Sequence, residues 1–169
     1  MDDLNHSTLE EKLISQIRNL GIQYEWIPVN PDYADTAQFC KKYGFSVDQS
    51  GNTIIVASKR GPKIYCACLV LATDRLDVNK KVKSLMNVSR VSFANPDETT
   101  KLTGMMIGGV TIFGLPEDIP IYVDAKVLDA PKIILGGGSR SGKIIISPQD
   151  IVKIPKVQIT EGLSISISQ

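Results

Sequence analysis

Leu102-Thr103-Gly104-Met105-Met106-Ile107-Gly108-Gly109-Val110-Thr111-Ile112-Phe113-Gly114 is an apolar run broken by glycine at positions 104, 108, 109 and 114. Packing does not require those glycines. Each one inside a strand loses entropy and side-chain contact, so they predict either bulges and turns in a curved sheet or a backbone that something else approaches closely. Periodicity alone favours the bulges. A second cluster, Gly136-Gly137-Gly138-Ser139-Arg140-Ser141-Gly142, again lies between β-branched runs. The functional alternative for both is a loop that presents backbone N–H groups to a small ligand.

Working outward, Ser7-Thr8-Leu9-Glu10 reads as a capping box, and Leu9, Leu13, Ile17 and Leu20 follow at helical spacing up to Gly21, predicting a helix over about 8–20. Ile22 to Val29 predicts an edge-like strand limited by Pro28 and Pro31, and Asp35 a cap for a helix Thr36 to Tyr43 closed by Gly44. Asn52 to Ser58 and Lys63 to Thr73 flank Lys59-Arg60-Gly61-Pro62, a hairpin signature. The second of these strands is apolar on both faces and belongs at the centre of a sheet, with Cys66 and Cys68 pointing to one side. Asp77 caps a helix that turns Val78, Val82 and Leu85 inward and Lys80, Lys81 and Lys83 to water. Val88 to Ala94 reads as a strand, Asn95-Pro96-Asp97-Glu98 as a helix start, and Ile119 to Val123, Lys132 to Leu135 and Lys143 to Ile146 as strands. Asp124 reads as a cap and Ser147-Pro148 as the start of a last short helix. The final Gly162-Leu163-Ser164-Ile165-Ser166-Ile167-Ser168 segment is expected as a frayed end or an added edge strand. The fold class is a single α/β (α+β) domain spanning residues 1–169, with a core over about 10–153 and a tail over 154–169. Its centre is a curved mixed sheet of six to eight strands with short helices packed around it.

Composition bounds the function. The chain has 169 residues, 43% hydrophobic and 22% charged, enough for one domain with a real core. Its longest apolar run, Ile64 to Ala72, is far below the roughly 20 residues that span a bilayer, so no membrane partner is expected. The Met-Asp-Asp start lacks a secretory pattern, and with 3 cysteines at no framework spacing the cytoplasm is the expected compartment. A lone histidine, His6, makes a metal set unworkable, and no cofactor is expected. The net charge of +1 is too balanced for wrapping an extended nucleic-acid backbone but leaves room for contact with a nucleic-acid end. Basic clusters stand at Lys41-Lys42, Lys59-Arg60 with Lys63, Lys80-Lys81 with Lys83, and Arg140 with Lys143. Taken singly they read as solvated faces.

Side-chain chemistry is sparse. Gly137 to Lys143 nearly spells a nucleotide-binding P-loop, but Ile144 replaces the required hydroxyl and the following residues read as strand where a helix is needed, which rejects nucleotide hydrolysis. No Ser-His-Asp set forms around His6, Cys40 has no general base, and Asp124 reads better as a cap than as a base. What stays open is chemistry carried by oriented backbone dipoles.

In order and spacing, Leu76-Asp77-Val78-Asn79-Lys80-Lys81, Leu102-Thr103-Gly104, Gly108-Gly109-Val110-Thr111, Phe113-Gly114, Pro120 to Asp124, and Gly138-Ser139-Arg140 leading to Ser147-Pro148 resemble the YbaK/ProX-type aminoacyl-tRNA deacylases, also described as prolyl-tRNA synthetase associated domains. The likeness runs from about Glu10 to Lys153. It implies a trans-editing hydrolase that cleaves the ester between a wrong amino acid and the terminal ribose of tRNA. The implied partner is the acceptor end of an aminoacyl-tRNA, with association with an aminoacyl-tRNA synthetase as a further expectation. The family's Gly-x-x-x-Pro loop matches Gly108-Gly109-Val110-Thr111-Ile112, with Ile112 in place of proline. Its strand lysine aligns with Asn52 in Gly51-Asn52-Thr53-Ile54-Ile55. The resemblance therefore implies Gly108, Gly109 and Val110 as carbonyl-polarising donors, and Asn52 as holder of the ribose or the α-amine. Thr53, Thr111, Gly138, Ser139, Arg140 and Lys143 are expected as substrate-binding residues. Attacking water would be oriented by the tRNA's own vicinal hydroxyl, and Lys59, Lys63 or Lys143 would stand in for the missing lysine. A non-catalytic binder of an aminoacyl-adenosine-like ligand, a tRNA end or a protein is the alternative on the same fold. A structural adaptor is the third, preferred if the Gly108 loop is closed by side chains.

Overall fold

The computed structural model describes residues 6–167, so the Met-Asp-Asp start and Ser168 of the expected tail lie outside it. Helix α1 (Thr8–Asn19) begins as the capping box requires: the Ser7 hydroxyl accepts the Glu10 amide and the Glu10 carboxylate accepts the Ser7 amide. Leu13 and Ile17, one turn apart, are fully buried. Strand β1 (Tyr24–Pro28), helix α2 (Thr36–Tyr43), strands β2 (Gly51–Ser58), β3 (Tyr65–Leu71) and β4 (Asp74–Leu76) follow. A π-helical turn, Val78–Val82, runs into α3 (Lys83–Met86), then come β5 (Val91–Phe93) and α4 (Pro96–Thr103). The second half holds β6 (Ile121–Asp124), β7 (Ile133–Gly136), β8 (Gly142–Ile146), β9 (Val157–Thr160) and β10 (Ser164–Ser166), joined partly by 3-10 turns.

The result is the expected mixed α/β fold. Among the described residues its ten strands divide into a five-stranded sheet in the order β5-β2-β3-β6-β9, a three-stranded sheet β1-β8-β7 and the pair β10-β4. β2 runs antiparallel to β3, whereas β3-β6 and β6-β9 are parallel. β3 is central, and Cys66 to Val70 are buried without a break, as a strand covered on both faces must be. The two larger sheets meet at a Ser50–Ile134 bridge, which sets the start of β2 against the end of β7.

Several local expectations are corrected. The Leu102–Gly114 stretch is not a bulged strand: Leu102 and Thr103 end α4, Gly104 closes it in the left-handed region at φ 76°, and the rest is loop. The strand expected over Val88–Ala94 pairs only over Val91–Phe93. Asp35 and Asp124 occupy cap positions without capping. The Asp35 carboxylate instead pairs with Arg140, and Asp124, buried, accepts the Ser164 hydroxyl. Of the two readings of the final segment the edge strand is the one observed: β10 lies beside β4, while β9 lies beside β6 and Leu163 is fully buried. His6 packs edge-on against Trp26, with ring centroids 4.7 Å apart.

Candidate active site

Where the start of β2 faces the end of β7, a cavity of about 260 Å³ opens between the two larger sheets. Asn52, Thr53 and Ile54 of β2 form one wall, Ile107, Gly108 and Val110 of the glycine loop another, and Lys143 of β8 a third. Asp35 and Thr36 at the start of α2 close the rim.

The loop's hydrogen bonds fix which way its peptides face. The Ile107 carbonyl accepts the Arg140 guanidinium at 2.8 Å, and the Gly109 carbonyl accepts the Gly138 amide at 2.6 Å. Both donors belong to the β7–β8 connection. In a planar trans peptide the C=O and N–H point in opposite directions, so the Gly108 and Val110 N–H groups face away from that connection. Neither has an acceptor among the described residues. Both residues line the cavity. The intervening peptide is reversed: the Gly109 N–H donates to Met106 at 2.8 Å, and the Gly108 carbonyl accepts the Lys143 ammonium at 3.1 Å. Gly109 is therefore not a free donor, which removes it from the expected trio. Its glycine identity has another cause, since a Cβ there would lie 2.2 Å from the Ser139 carbonyl oxygen.

On the opposite wall the Asn52 side-chain oxygen accepts the Thr36 hydroxyl at 2.8 Å, which holds the amide in place. The Asn52 NH₂ has no acceptor among the described residues, and the Thr53 hydroxyl beside it is buried without a partner. A buried hydroxyl left unpaired is costly and uncommon, and among the described residues Thr53 and Thr111 each carry one. Lys143 is buried, and its ammonium also sits 5.4 Å from the centre of the Phe39 ring. Burial pulls its pKa down to about 8, against the opposite pull of the Asp35 carboxylate.

The other expected residues lie behind the loop or away from it. Gly138 supports Gly109, and the Ser139 hydroxyl donates to Glu10 at 2.7 Å. Arg140 donates to the carbonyls of Pro31 and Ile107 and to Asp35, so it works as a strut rather than as a cavity wall. Thr111 is fully buried, its hydroxyl unpartnered. Of the lysines expected to replace the strand lysine, Lys143 lines the cavity; Lys63 pairs with Glu98, and Lys59 lies beyond the far end of β2. Asp35 and Thr36 were missed because a helix start reads the same whether or not it borders a cleft. Among the described residues no cluster of metal-ligating side chains occurs, and no helix is long and apolar enough to cross a membrane.

The chain is 29% identical over 114 residues to the uncharacterized protein YwhH of Bacillus subtilis, covering 63% of this chain and 72% of that one. It is 21% identical over 140 residues to EbsC of Enterococcus faecalis, described as a candidate Cys-tRNA(Pro)/Cys-tRNA(Cys) deacylase, covering 82% of this chain and 81% of that one. Among solved structures, the hypothetical protein APE2540 superposes with a TM-score of 0.80 at 25% identity, over 91% of this chain and 99% of the other. A candidate trans-editing enzyme for prolyl-tRNA synthetase gives 0.79 at 21% identity, over 93% and 98%. The sequence pattern of the aminoacyl-tRNA editing domain matches residues 30–154, a span that includes every residue lining the cavity and both glycine clusters, and the chain belongs to that family.

Proposed function

We propose that this domain hydrolyses, in trans, the ester that joins a wrong amino acid to the terminal ribose of a tRNA. The observation that carries the reading is the pair of unengaged N–H groups, Gly108 and Val110, on a cavity wall that faces Asn52 and Lys143. At about 260 Å³ the cavity is smaller than the roughly 300–1,000 Å³ of most small-molecule sites, which suits an aminoacyl group with part of its ribose rather than a whole nucleotide.

In this reading the ester carbonyl oxygen lies against the Gly108 and Val110 amides. Such preorganised donors stabilise the developing oxyanion, each by about 3–4 kcal/mol. Lys143 spends one of its three N–H donors on Gly108, and the others add positive charge beside the same oxygen. The Asn52 NH₂ holds a ribose hydroxyl, and the Asp35 carboxylate at the rim receives the substrate's α-ammonium. Water, oriented by the tRNA's vicinal hydroxyl, adds to the carbonyl carbon. The tetrahedral intermediate collapses with loss of the ribose oxygen, which takes up a proton, leaving free amino acid and tRNA. Lys143 thus supplies from β8 the cation that the family carries on the strand where Asn52 stands.

A deacylation assay over a panel of misacylated tRNAs tests this, with Asn52→Ala and Lys143→Met beside the wild type. Hydrolysis of at least one misacylated tRNA, weakened in both variants, is expected. Binding of an aminoacyl-adenosine analogue without turnover of any ester would favour the non-catalytic binder instead.

A further inference from the structure

Two basic clusters that read separately in the sequence come together in the fold. The β2–β5 ladder extends one bond past its last strand pair, with the Lys59 amide donating to the Arg90 carbonyl at 2.9 Å, so these residues sit side by side. Facing them are Asn79 and Lys83, four residues apart and therefore on one face of the helical segment that holds them. With Ser89 they line a surface depression of about 300 Å³ in which lysine and arginine are the only charged residues. Lys59, Lys83 and Arg90 are exposed, and among the described residues none of the three has an ion-pair partner. Three unneutralised cations with two neutral hydrogen-bonding side chains and no carboxylate make a surface for phosphate oxygens.

We propose that this depression binds the phosphate backbone of the tRNA's acceptor arm while the esterified end occupies the cavity; the proposal rests on the aminoacyl-tRNA substrate argued above. Distance favours a polynucleotide over a lone anion. Asn52 is the second residue of β2 and Lys59 lies just past its end, so seven residues at about 3.3 Å each separate the two sites by about 23 Å. At roughly 3.4 Å per stacked nucleotide, that is about seven nucleotides, which places the contacted phosphates in the arm rather than at the esterified residue. Contacts of this kind fix register and orientation without reading sequence.

The experiment measures binding of an uncharged tRNA transcript to the full chain as a function of salt, for wild type and for the combined variant Lys59→Glu, Lys83→Glu, Arg90→Glu. All three positions are exposed, so melting temperature should hold. Each lost phosphate contact lowers the steepness of log affinity against log salt by about 1, so the variant should lose about 3 from the slope, which between about 50 and 200 mM salt makes its affinity fall roughly 60-fold less than that of the wild type. On charged tRNA its KM should rise with kcat unchanged, while hydrolysis of an aminoacyl ester of adenosine should match wild type. An unchanged slope, or displacement of the tRNA by inorganic phosphate or polyglutamate at equal charge, overturns the proposal. If wild type hydrolyses neither ester, the hydrolase reading fails alone, because the salt slope still reports on the depression.

Discussion

The two glycine clusters look alike in sequence and do opposite work. In the loop that follows α4, Gly108 adopts a left-handed φ of 91° and lines the cavity, its N–H without an acceptor among the described residues. At the two ends of the β7–β8 connection the glycines make room for neighbours: a Cβ at Gly136, which ends β7, would lie 2.5 Å from the Val110 carbonyl oxygen, and one at Gly142, which starts β8, would lie 1.9 Å from the Trp26 ring. The first cluster puts Gly108 on the cavity wall, while the second reaches the cavity only at Gly136 and otherwise backs the loop, with Gly109 pressed between them. Glycine richness alone therefore does not identify a ligand loop. What identifies it is which amides remain unspent once the carbonyls are accounted for.

The sharpest way to break this division is Gly109→Ala. The new methyl meets the backbone of Ser139, which cannot turn aside as a side chain would, so the two loops must separate. Overpacking of this kind costs about 3 kcal/mol or more, and thermal melting should show a fall of roughly 6–12 °C, with hydrolysis lost as well. Normal melting with full activity would mean that the loops are not in contact.

Lys143→Met leaves the loops together and removes the cation. Loss of a positioned catalytic side chain costs about 10²–10⁴ in rate, and a drop in kcat/KM of roughly 10² is expected. Its pH behaviour separates a functional lysine from a structural one. The native group releases its proton at about 8, below the ordinary 10.5, so between those values the unfolded chain binds more protons than the folded one. Native stability therefore rises with pH across that window, while activity that depends on the ammonium falls above about 8. Denaturant titrations and rate profiles should show the two trends moving in opposite directions in wild type, and neither in Lys143→Met. Arg140→Ala has a smaller effect, since it frees the Ile107 carbonyl without touching the cavity. A fall of about tenfold in kcat is expected, with about 1–2 kcal/mol of stability lost with its hydrogen bonds.

These contrasts also explain what could be read from the sequence. The Ser7–Glu10 box, the Lys59–Pro62 turn and the Asn95 cap were legible because each is a pattern of about four residues that closes on itself. The glycine stretch misread as bulged strand because Val110, Thr111 and Ile112 are β-branched, yet their backbone has no partner strand. Thr111, Ile112 and Phe113 are buried by the core rather than by a ladder. Asp124 reads as a cap in sequence because its true partner, Ser164, lies 40 residues on. Lys143 is named in sequence by a failed P-loop pattern, a basic cluster and the family likeness, but not as a cavity wall, because its burial against Phe39 and its bond to Gly108 join three separate elements. Family likeness pointed to the loop, and only the hydrogen bonds separate Gly108 and Val110 from Gly109.

The smallest change tests whether all glycines of the stretch share one purpose. Gly104 lies four residues before Gly108, yet it ends α4 with its N–H bonded to Thr100, and no atom lies within 4 Å of where a Cβ would sit. Its only reason to be glycine is the left-handed φ of 76°. Gly104→Ala should therefore cost about 1–2 kcal/mol, the ordinary penalty of that conformation for an L residue, and lower the melting temperature by roughly 2–8 °C. Deacylation should be unaffected, because the methyl group projects into open space and the Gly108 and Val110 amides keep their backing. If Gly104→Ala instead abolishes hydrolysis while the fold survives, the working part of the loop begins at the helix end, and the line drawn here between a capping glycine and an amide-presenting one is in the wrong place.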